Sequence, residues 1–377
     1  MFEPLVDEET LRPTHVEVSL AQIRANLDAI VAHVGGRAVM PILKANAYGH
    51  GLVPVAREME AAGVPVIGLA FLEEGIRLRR FGITTPILVL GGILGDQIPL
   101  FLEHDLWLTA SSVDKLQAIE AAAAARGVRA TVHLKIDTGM ERIGIHWYSA
   151  ERLIEASLRC KHVDVRGVFS HLASSDEADP RYTRLQVERF EEVLGHYERR
   201  SVQPPTRHLA NSGGIVAHPD TWYDCVRPGI LLYGVYPSDE LPRLVPVRPA
   251  LTWRSKVVYF KVVPAGHPVS YGSTWAPTAQ TRIVTVPVGY GDGYPRALSN
   301  RAEVVLRGAR YPVVGRVCMD QLMVNLGDGT AYNGDEVILL GGEGEVSVTV
   351  EDLARWAGTI PYEILTGINT RVPRVYT

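Results

Sequence analysis

Cysteine is scarce in this chain, and its pattern excludes several kinds of site. The 377 residues contain three cysteines, Cys160, Cys225 and Cys318, which lie far apart in the sequence. No CxxC pair occurs, and the 12 histidines form neither an HExxH nor an HxH motif. We therefore expect reduced thiols rather than a disulfide framework, and chemistry that depends on side chains or an organic cofactor rather than a metal.

Long hydrophobic runs and a strong net charge are also missing. Apolar segments such as residues 86–94 have the length of a core strand, well short of the roughly 20 residues that span a bilayer. The net charge of −4 favours neither a nucleic-acid partner nor an anionic membrane surface. Residues 1–18 are acidic and interrupted by proline, which is unlike a secretion signal. The sequence thus predicts a cytoplasmic globular protein whose length suggests about two domains.

The first two thirds of the chain alternate short apolar runs with longer amphipathic segments. A Ser19/Gln22 spacing typical of a capping box opens the first predicted helix, at 19–34. Further helices are predicted at 53–62, 72–81, 113–125 and 181–200. Eight strands are predicted between the helices, at 38–43, 66–70, 86–90, 106–109, 130–136, 163–169, 206–209 and 224–227. Eight alternations favour an α/β fold of the (β/α)8 TIM-barrel type over an open doubly wound sheet.

The composition changes near residue 240, where four prolines crowd the segment 237–250. Beyond it, short β-branched runs at 256–263, 282–288, 303–306 and 336–340 are separated by turn residues, and one helix is predicted near 350–356. We therefore predict a TIM barrel at 16–240 that binds a cofactor, followed by a β-rich, barrel-like domain at 241–377. An N-terminal segment, 1–15, is expected to pack with the C-terminal domain.

Polar residues follow the predicted barrel strands at their carboxyl ends. Lys44 follows the first, Arg142 lies in the DTGMERIG segment after the fifth, His171 follows the sixth, His208 the seventh and Arg227 the eighth. Each has an ordinary structural explanation as a turn, a cap or a core histidine. The carboxyl ends of barrel strands nevertheless meet at one mouth, so the joint pattern predicts an active site there.

Two features of this mouth suggest a particular cofactor. Burial would lower the pKa of a lysine at a strand end and make it a nucleophile toward carbonyl groups. The segment Asn211-Ser212-Gly213-Gly214 opens a helix after the seventh strand and, with the backbone at Gly229 and Ile230, offers donors to a phosphate. A lysine and a phosphate cradle are the two anchors of pyridoxal phosphate bound as a Schiff base.

At this level the chain resembles the alanine racemases of the fold-type III pyridoxal-phosphate enzymes. The resemblance covers nearly the whole chain. The matching segments, in order, are KANAYGHG at 44–51, LKIDTGMERIG at 134–144, SHLASSDE at 170–177, LANSGG at 209–214, RPGILLYG at 227–234, VSYGSTW at 269–275, VGYGDGYPR at 288–296, GRVCMDQLMV at 315–324 and PYEILTGINTRVPRVY at 361–376.

The resemblance implies a role for each matching residue. Lys44 would hold the cofactor and act as one catalytic base, and Tyr271, from the second subunit of a head-to-tail homodimer, would be the other. Arg227 would face the pyridine nitrogen, and His171 and His208 would form a polar network that supports Arg227 and Tyr271. Phosphate binding would fall to Tyr48, Ser212, Gly229, Ile230 and, from the partner, Tyr362, and the cofactor-binding residues would also include His171 and Asn211. Arg142 and the Met319 backbone would address the substrate carboxylate or the cofactor phenolate, with Lys135, Cys318 and Asp320 in support; the family's counterpart of Lys135 is often carbamylated.

Three activities remain open from the sequence. The first is interconversion of L- and D-alanine for peptidoglycan synthesis or alanine catabolism, with a serine or broad-spectrum racemase as a variant. The second is a fold-type III amino-acid decarboxylase, which shares the barrel and the lysine. The third is a non-catalytic carrier of pyridoxal phosphate, built as a single barrel. The C-terminal domain with Tyr271 favours racemisation over the carrier.

Overall fold

The computed structural model describes residues 12–377 and divides them into two compact units. One unit, which we call the barrel unit, comprises residues 23–248, and the other, the C-terminal unit, comprises 249–377 together with the described residues before Ile23. Strand β1 is His15–Val18 and helix α1 is Leu20–His33. The amide of Gln22 donates to Ser19 Oγ over 3.3 Å, as the capping pattern predicts. Within 12–377, no helix is both long and apolar enough to cross a bilayer.

Eight parallel strands form a ring in the barrel unit. Adjacent strands pair in chain order, Ile42 and Leu88 bridge to Gly68 and Trp107, and the Asp224 amide closes the ring on the Arg207 carbonyl over 3.1 Å. The two-residue β7, Ile145–His146, is an addition that pairs with β6. The ring strands are β2 Ala38–Val39, β3 Ile67–Leu69, β4 Ile87–Val89, β5 Leu108–Ala110, β6 Ala130–Asp137, β8 Val163–Phe169, β9 Thr206–His208 and β10 Cys225–Val226.

Amphipathic helices alternate with these strands and bury one apolar face each. Helix α6 shows the local signals, because Ser112 Oγ caps its start by accepting from the Lys115 amide and Gly127 ends it at φ 65°. The barrel-unit segments after α1 are α2 Lys44–Tyr48, α3 Leu52–Ala61, α4 Leu72–Arg80, α5 Ile98–Glu103, α6 Val113–Arg126, α7 Ala150–Leu158, α8 Arg181–Glu198 and α9 Ser212–Ala217. The TIM-barrel fold predicted from the alternation is confirmed.

The predicted first strand is shorter in the structure than in the prediction. It was expected to run from 38 to 43 and to end next to Lys44, but regular pairing stops at Val39 and only Ile42 makes a further bridge. The chain then turns sharply at Lys44.

The C-terminal unit is a mixed sheet with two helices. Its strand order is β12-β13-β16-β15-β14-β17-β11-β1-β19, with β18 beside β17, and a hydrophobic cluster of Val263, Val269, Ile283 and Val314 is buried in this unit. The strands after the barrel are β11 Leu251–Lys256, β12 Tyr259–Val263, β13 Thr281–Val286, β14 Glu303–Leu306, β15 Ala309–Val314, β16 Leu322–Gly327, β17 Glu336–Glu343, β18 Val346–Val348 and β19 Arg374–Tyr376; the helices are α10 Val350–Ala357 and α11 Pro361–Gly367.

The structure corrects two predictions about this unit. The run 256–263 is not one strand: β11 pairs with β17 and β12 with β13, so the chain changes partner at Val257 and Val258. The boundary predicted at residue 16 falls inside β1, which pairs with β11 and β19, because the backbone groups of that strand are satisfied by the C-terminal sheet. Of the segment 1–15, residues 1–11 lie outside the described chain.

Candidate active site

Lys44 opens a left-handed turn at the carboxyl end of β2. The next four residues, Ala45 to Tyr48, all have positive φ, between 51° and 56°. For L-residues this conformation costs on the order of 1–2 kcal/mol each, so the surrounding structure must impose it. Strained backbone of this kind clusters at active sites and ligand-binding sites, so the turn is a candidate functional position.

Side chains and backbone groups near the turn hold it in place. Glu74, on α4, accepts from the Ala45 amide over 2.7 Å and from the Ala70 amide over 3.2 Å. The Asn46 side chain accepts from the Leu52 amide over 2.9 Å, at the start of α3. The Tyr233 hydroxyl donates to the Ile42 carbonyl over 3.0 Å. These contacts give Lys44 a defined origin at the barrel mouth.

The Lys44 amine is shifted toward its uncharged form. Burial lowers its pKa, and the Arg142 guanidinium lowers it further, whereas Glu74 opposes both effects. A lysine partly relieved of its proton is a nucleophile toward carbonyl carbon and a base. The direction of this pKa shift is the one that the sequence analysis expected for Lys44, although Lys44 lies in a turn rather than directly at a strand end.

Arg227, directly after β10, is a buried cation with an unusual set of partners. Its Nη1 donates to His208 Nδ1 over 2.9 Å and to the His208 carbonyl over 2.7 Å. Its Nη2 donates to the carbonyls of Ser170 and Leu209 and lies 3.4 Å from His171 Nδ1. Burial lowers the pKa of Arg227 to about 10, so it stays charged at neutral pH.

No carboxylate of the described residues pairs with Arg227, and its Nε makes no hydrogen bond with them. The charge of Arg227 and the other nearby cations also lowers the pKa values of His171 and His208, after burial itself. Both imidazoles are therefore neutral. Arg227 is therefore a charged hydrogen-bond donor surrounded by neutral acceptors. Such a group can donate to an acceptor atom of a bound ligand.

A second group of residues surrounds the start of α9. Ser212 Oγ accepts from the amides of Gly229 and Leu231 over 3.0 and 3.3 Å. A Cβ at Gly229 would lie 2.5 Å from the Tyr48 hydroxyl oxygen and 3.7 Å from Ser212 Oγ, so these hydroxyls and the Gly229 backbone share one small space. Ile230 follows as the first residue of a buried 3-10 turn. Four of the predicted phosphate-binding positions are therefore together.

Asn211 has a structural task at this place. Its Oδ1 accepts from the Gly214 amide over 3.0 Å and from Ser175 Oγ over 2.6 Å, and its Nδ2 donates to the Leu172 carbonyl. Asn211 is thus the N-cap of α9, one of the two interpretations that its sequence allowed. Its capping fixes where Ser212 begins the helix.

Arg142 and Lys135 flank the mouth from β6 and the loop after it. Asp137 shapes that loop, because Oδ1 accepts from the amides of Gly139 and Met140, and Oδ2 from the Arg142 amide over 3.2 Å. Lys135 Nζ is buried, donates to the Ile136 carbonyl and lies 4.9 Å from the centre of the Phe169 ring. Burial, followed by the charge of Arg227, lowers the pKa of Lys135 well below its ordinary value.

The C-terminal unit presents Tyr271 on a tightly built loop. The side chain is 70% exposed, and Ser270 before it has φ 70°, where Ser270 Oγ donates to the Arg316 carbonyl over 2.6 Å. Gly272 also has positive φ, and a Cβ there would meet the Arg316 guanidinium at 2.8 Å. The loop therefore holds an exposed phenol on a rigid backbone.

The other predicted residues of this unit lie in two further segments. Ser270 Oγ lies 3.6 Å from Cys318 Sγ, and the Met319 carbonyl accepts from the Gly291 amide over 2.9 Å. Arg371 bridges Asp320 and the buried Asp292, each over 2.7 Å. Tyr362 lies in α11 and accepts, through its carbonyl, from the Thr366 hydroxyl. Cys318, Met319 and Asp320 thus form one loop near the Tyr271 segment, whereas Tyr362 belongs to a separate helix.

Sequence reasoning missed Glu74 and His133. Glu74 lies on an amphipathic helix among other charged residues, where nothing local distinguishes it. His133 lies inside β6 and its Nδ1 is 2.8 Å from His208 Nε2. A histidine within an otherwise apolar buried strand was the available signal for the second residue.

Comparison with protein-family models identifies both units. Residues 18–237 match the model "Alanine racemase, N-terminal domain", and residues 250–376 match "Alanine racemase, C-terminal domain". The chain belongs to the alanine racemase family. It is therefore a member of a family of isomerases, and the family predicted from its motifs is confirmed.

Individual members of the alanine racemase family match over nearly their whole length. An alanine racemase of Symbiobacterium thermophilum is 45% identical over 372 residues, which cover 98% of this chain and 99% of that protein. The crystal structure of an alanine racemase from D-cycloserine-producing Streptomyces lavendulae has a TM-score of 0.92 at 39% identity, covering 98% of both chains. That of Bartonella henselae, described with covalently bound pyridoxal phosphate, has a TM-score of 0.88 at 27% identity, covering 97% of this chain and 99% of that one.

Proposed function

We propose that this protein interconverts L- and D-alanine with pyridoxal phosphate as cofactor. The observation that carries the proposal is the barrel mouth itself. It joins a lysine of lowered pKa, a buried arginine without a carboxylate and a small cradle of hydroxyls and backbone, all in a member of the alanine racemase family. The lysine and the cradle are the two groups that the sequence analysis expected to anchor the cofactor.

The residues present fit this cofactor. Ser212, Tyr48 and the Gly229–Ile230 backbone would hold its phosphate. The Tyr48 hydroxyl lies so close to the backbone at Gly229 that a residue larger than glycine would collide with it, so these groups face one small space. Lys44 would hold it covalently and Arg227 would face its ring nitrogen. When bound, pyridoxal phosphate binds an amine covalently and stabilises negative charge that develops at the amino-acid Cα.

Racemisation requires removal of a proton from one face of Cα and delivery to the other, so two groups on opposite faces are needed. Lys44 would serve one face with its amine. Tyr271 would serve the other with its phenol, and its loop fixes that phenol on a rigid backbone. A positioned acid or base of this kind contributes typically 10²–10⁴-fold to the rate.

Arg227 would limit the reaction to racemisation. An arginine gives up its proton too reluctantly to protonate the ring nitrogen of the cofactor. Arg227 would therefore donate to that nitrogen without transferring its proton, and would in this way limit the electron withdrawal that the cofactor supplies. This role of Arg227 would disfavour side reactions such as transamination.

Arg142 would face the substrate carboxylate or the cofactor phenolate, with the Met319 backbone and Asp320 as further contributors. Lys135 lies among the cations Arg142 and Arg227, and burial, followed by the charge of Arg227, lowers the pKa of its amine. The uncharged form of an amine adds to carbon dioxide with release of one proton, and the resulting carbamate would carry a single negative charge next to these two cations. We include carbamylation of Lys135 in the proposal on that ground.

We also propose that the working form is a head-to-tail homodimer, in which Tyr271 and Tyr362 serve the barrel of the partner. The exposure of Tyr271 supports this part, because a phenol that acts on another copy must be accessible on its own. In the cell, the D-alanine formed would supply peptidoglycan synthesis, or the reverse reaction would feed alanine catabolism.

One experiment separates racemisation from its alternatives. The purified protein, supplied with pyridoxal phosphate, is incubated with L-alanine in deuterated water. We expect D-alanine that carries deuterium at Cα. Carbon dioxide release would instead identify a decarboxylase. If neither deuterated D-alanine nor carbon dioxide forms, the protein is a carrier of the cofactor. Repeating the assay with L-serine measures the substrate range.

A further inference from the structure

We propose that His133 is a positioning residue. It accepts a hydrogen bond from the protonated nitrogen of His208, holds the His208 ring in place and thereby holds Arg227 as a rigid donor. The proposal rests on the proposed function for its place in catalysis. Its geometry, however, belongs to the barrel unit alone. Three buried groups are connected in sequence, from Arg227 Nη1 to His208 Nδ1 over 2.9 Å and from His208 Nε2 to His133 Nδ1 over 2.8 Å.

The chemistry of the three groups determines the direction of both hydrogen bonds. Arginine has only donors, so His208 Nδ1 must accept from Arg227 and cannot carry a proton. A neutral His208 then carries its proton on Nε2 and donates it to His133 Nδ1. His133 must therefore carry its own proton on Nε2. No other assignment satisfies both bonds without an imidazolate.

Both histidines are neutral in this environment. Burial lowers the pKa of His133 to about 3, with the charges of Arg227 and Arg166 adding to the effect. Burial also lowers the pKa of His208, followed by the charge of Arg227. The two histidines thus convey no net charge to Arg227, and what they supply is an acceptor of fixed position.

The fold makes space for the His133 ring by placing a glycine, Gly167, next to it on the neighbouring strand. His133 pairs with Gly167 of β8, and the register of the two strands shifts between Val132 and His133. A Cβ at residue 167 would lie 2.1 Å from His133 Nδ1, so only glycine permits this ring position. The Trp107 ring, 5.5 Å away between ring centres, packs against the imidazole as well.

The second ring nitrogen of His133, Nε2, indicates why this buried position holds a histidine. His133 Nε2 is buried and has no hydrogen-bond partner among the described residues. A buried donor without a partner destabilises a protein, and an apolar ring or chain would fill the same space without that loss. The histidine is thus explained by its Nδ1, the acceptor that orients His208.

The first test observes the ring nitrogens directly. The holoenzyme is labelled with 15N-histidine, and long-range proton–nitrogen NMR spectra distinguish protonated from bare ring nitrogens. We expect His133 and His208 each to carry their proton on Nε2 with Nδ1 bare. A proton on His133 Nδ1 would overturn the proposal. This measurement needs no variant and no activity.

The second test uses two substitutions of similar size. His133→Asn places an amide oxygen where Nδ1 accepts, whereas His133→Leu has no acceptor. For His133→Leu we expect kcat for alanine to fall about tenfold with KM little changed, faster loss of cofactor on dialysis, and an upfield shift of the His208 Nε2 proton, which has lost its acceptor. His133→Asn should stay close to wild type in all three. Equal losses in both variants, with His208 unchanged, would show a merely structural role.

A third variant reaches the same ring from the neighbouring strand. Gly167→Ala should displace the His133 ring and reproduce the His133→Leu effects, whereas Gly92→Ala is a control, because a Cβ at Gly92 meets no atom within 4 Å. An unchanged His208 Nε2 proton resonance in a folded Gly167→Ala protein would contradict the proposal. If wild-type protein fails to racemise alanine, the proposed function is wrong, but the NMR assignment still decides the positioning of His208.

Discussion

At the scale of single residues, Lys44 combines a lowered pKa with a backbone that the fold forces into position. Replacing it by alanine should abolish covalent attachment of pyridoxal phosphate, because no other amine occupies that turn. The measurement is borohydride treatment followed by peptide mass spectrometry. The exposed Lys161→Ala is the matched control and should retain the labelled Lys44 peptide. A labelled Lys135 peptide in the Lys44→Ala protein would show that the anchor was assigned to the wrong lysine.

The hydroxyl group of Tyr271 is the proposed second base of the two-base mechanism. Tyr271→Phe removes the hydroxyl but leaves the ring and the loop, so we expect kcat to fall by about 10²–10⁴-fold while the cofactor stays bound. Tyr332→Phe is the control, because Tyr332 is also an exposed tyrosine of the C-terminal unit, at 63%. Racemisation rates in both directions provide the measurement. A Tyr271→Phe enzyme with near-wild-type turnover would exclude the phenol as a base.

At the scale of elements, the left-handed turn after β2 depends on a helix that follows it in sequence. Glu74→Gln keeps the size but weakens the bonds to the Ala45 and Ala70 amides, since bonds to charged groups contribute about 1.5–3 kcal/mol. We expect lower thermal stability and faster loss of cofactor. Because Glu74 raises the pKa of Lys44, the substitution should also lower that pKa further. Glu73→Gln, one residue away and exposed, is the control and should change neither property.

The same turn shows why some elements could be predicted and others could not. Strand β8 has the predicted bounds, 163–169, because its three valines, at 163, 165 and 168, favour a strand locally. The left-handed turn at Ala45 to Tyr48 has no such signal. Its alanines favour the right-handed helix, and the carboxylate that accepts from Ala45 is 29 residues away. Likewise, the run 256–263 reads as one strand because a change of partner strand leaves no mark in the sequence.

The candidate site follows the same division between local and distant information. The mouth residues from Lys44 to Arg227 could be predicted, since the carboxyl ends of barrel strands meet whatever their separation in sequence. The partners that tune them could not. His133 reaches His208 across 75 positions, and which ring nitrogens meet is decided by a register shift beside Gly167. Such distances are fixed by packing rather than by the residue pattern.

At the scale of the whole molecule, the buried histidines should make the protein sensitive to acid. The folded pKa of His133 is about 3, against 6.5 for an ordinary histidine, and His171 and His208 are lowered as well. Between pH 6.5 and 3 the unfolded chain therefore binds more protons than the folded one. Their contribution to stability is complete above pH 6.5 and is lost as the pH falls.

Urea unfolding at a series of pH values measures this effect. His133→Asn should make the free energy of unfolding depend less steeply on pH between 6.5 and 3, by up to about one proton. The exposed His267→Asn serves as the control and should leave the slope as it is. Identical slopes for wild type and His133→Asn would mean that His133 charges in the folded protein.

The division of the proposed catalytic groups between two copies of the chain can be tested with two inactive proteins. In a head-to-tail dimer of one Lys44→Ala chain and one Tyr271→Phe chain, one site contains both substitutions and the other contains neither. An equal mixture after subunit exchange should therefore recover about a quarter of wild-type activity, because half of the dimers are mixed and each has one native site. The control is either variant alone, carried through the same exchange. Mass spectrometry must show mixed dimers; their presence without recovered activity would place Lys44 and Tyr271 in the same site of a single chain.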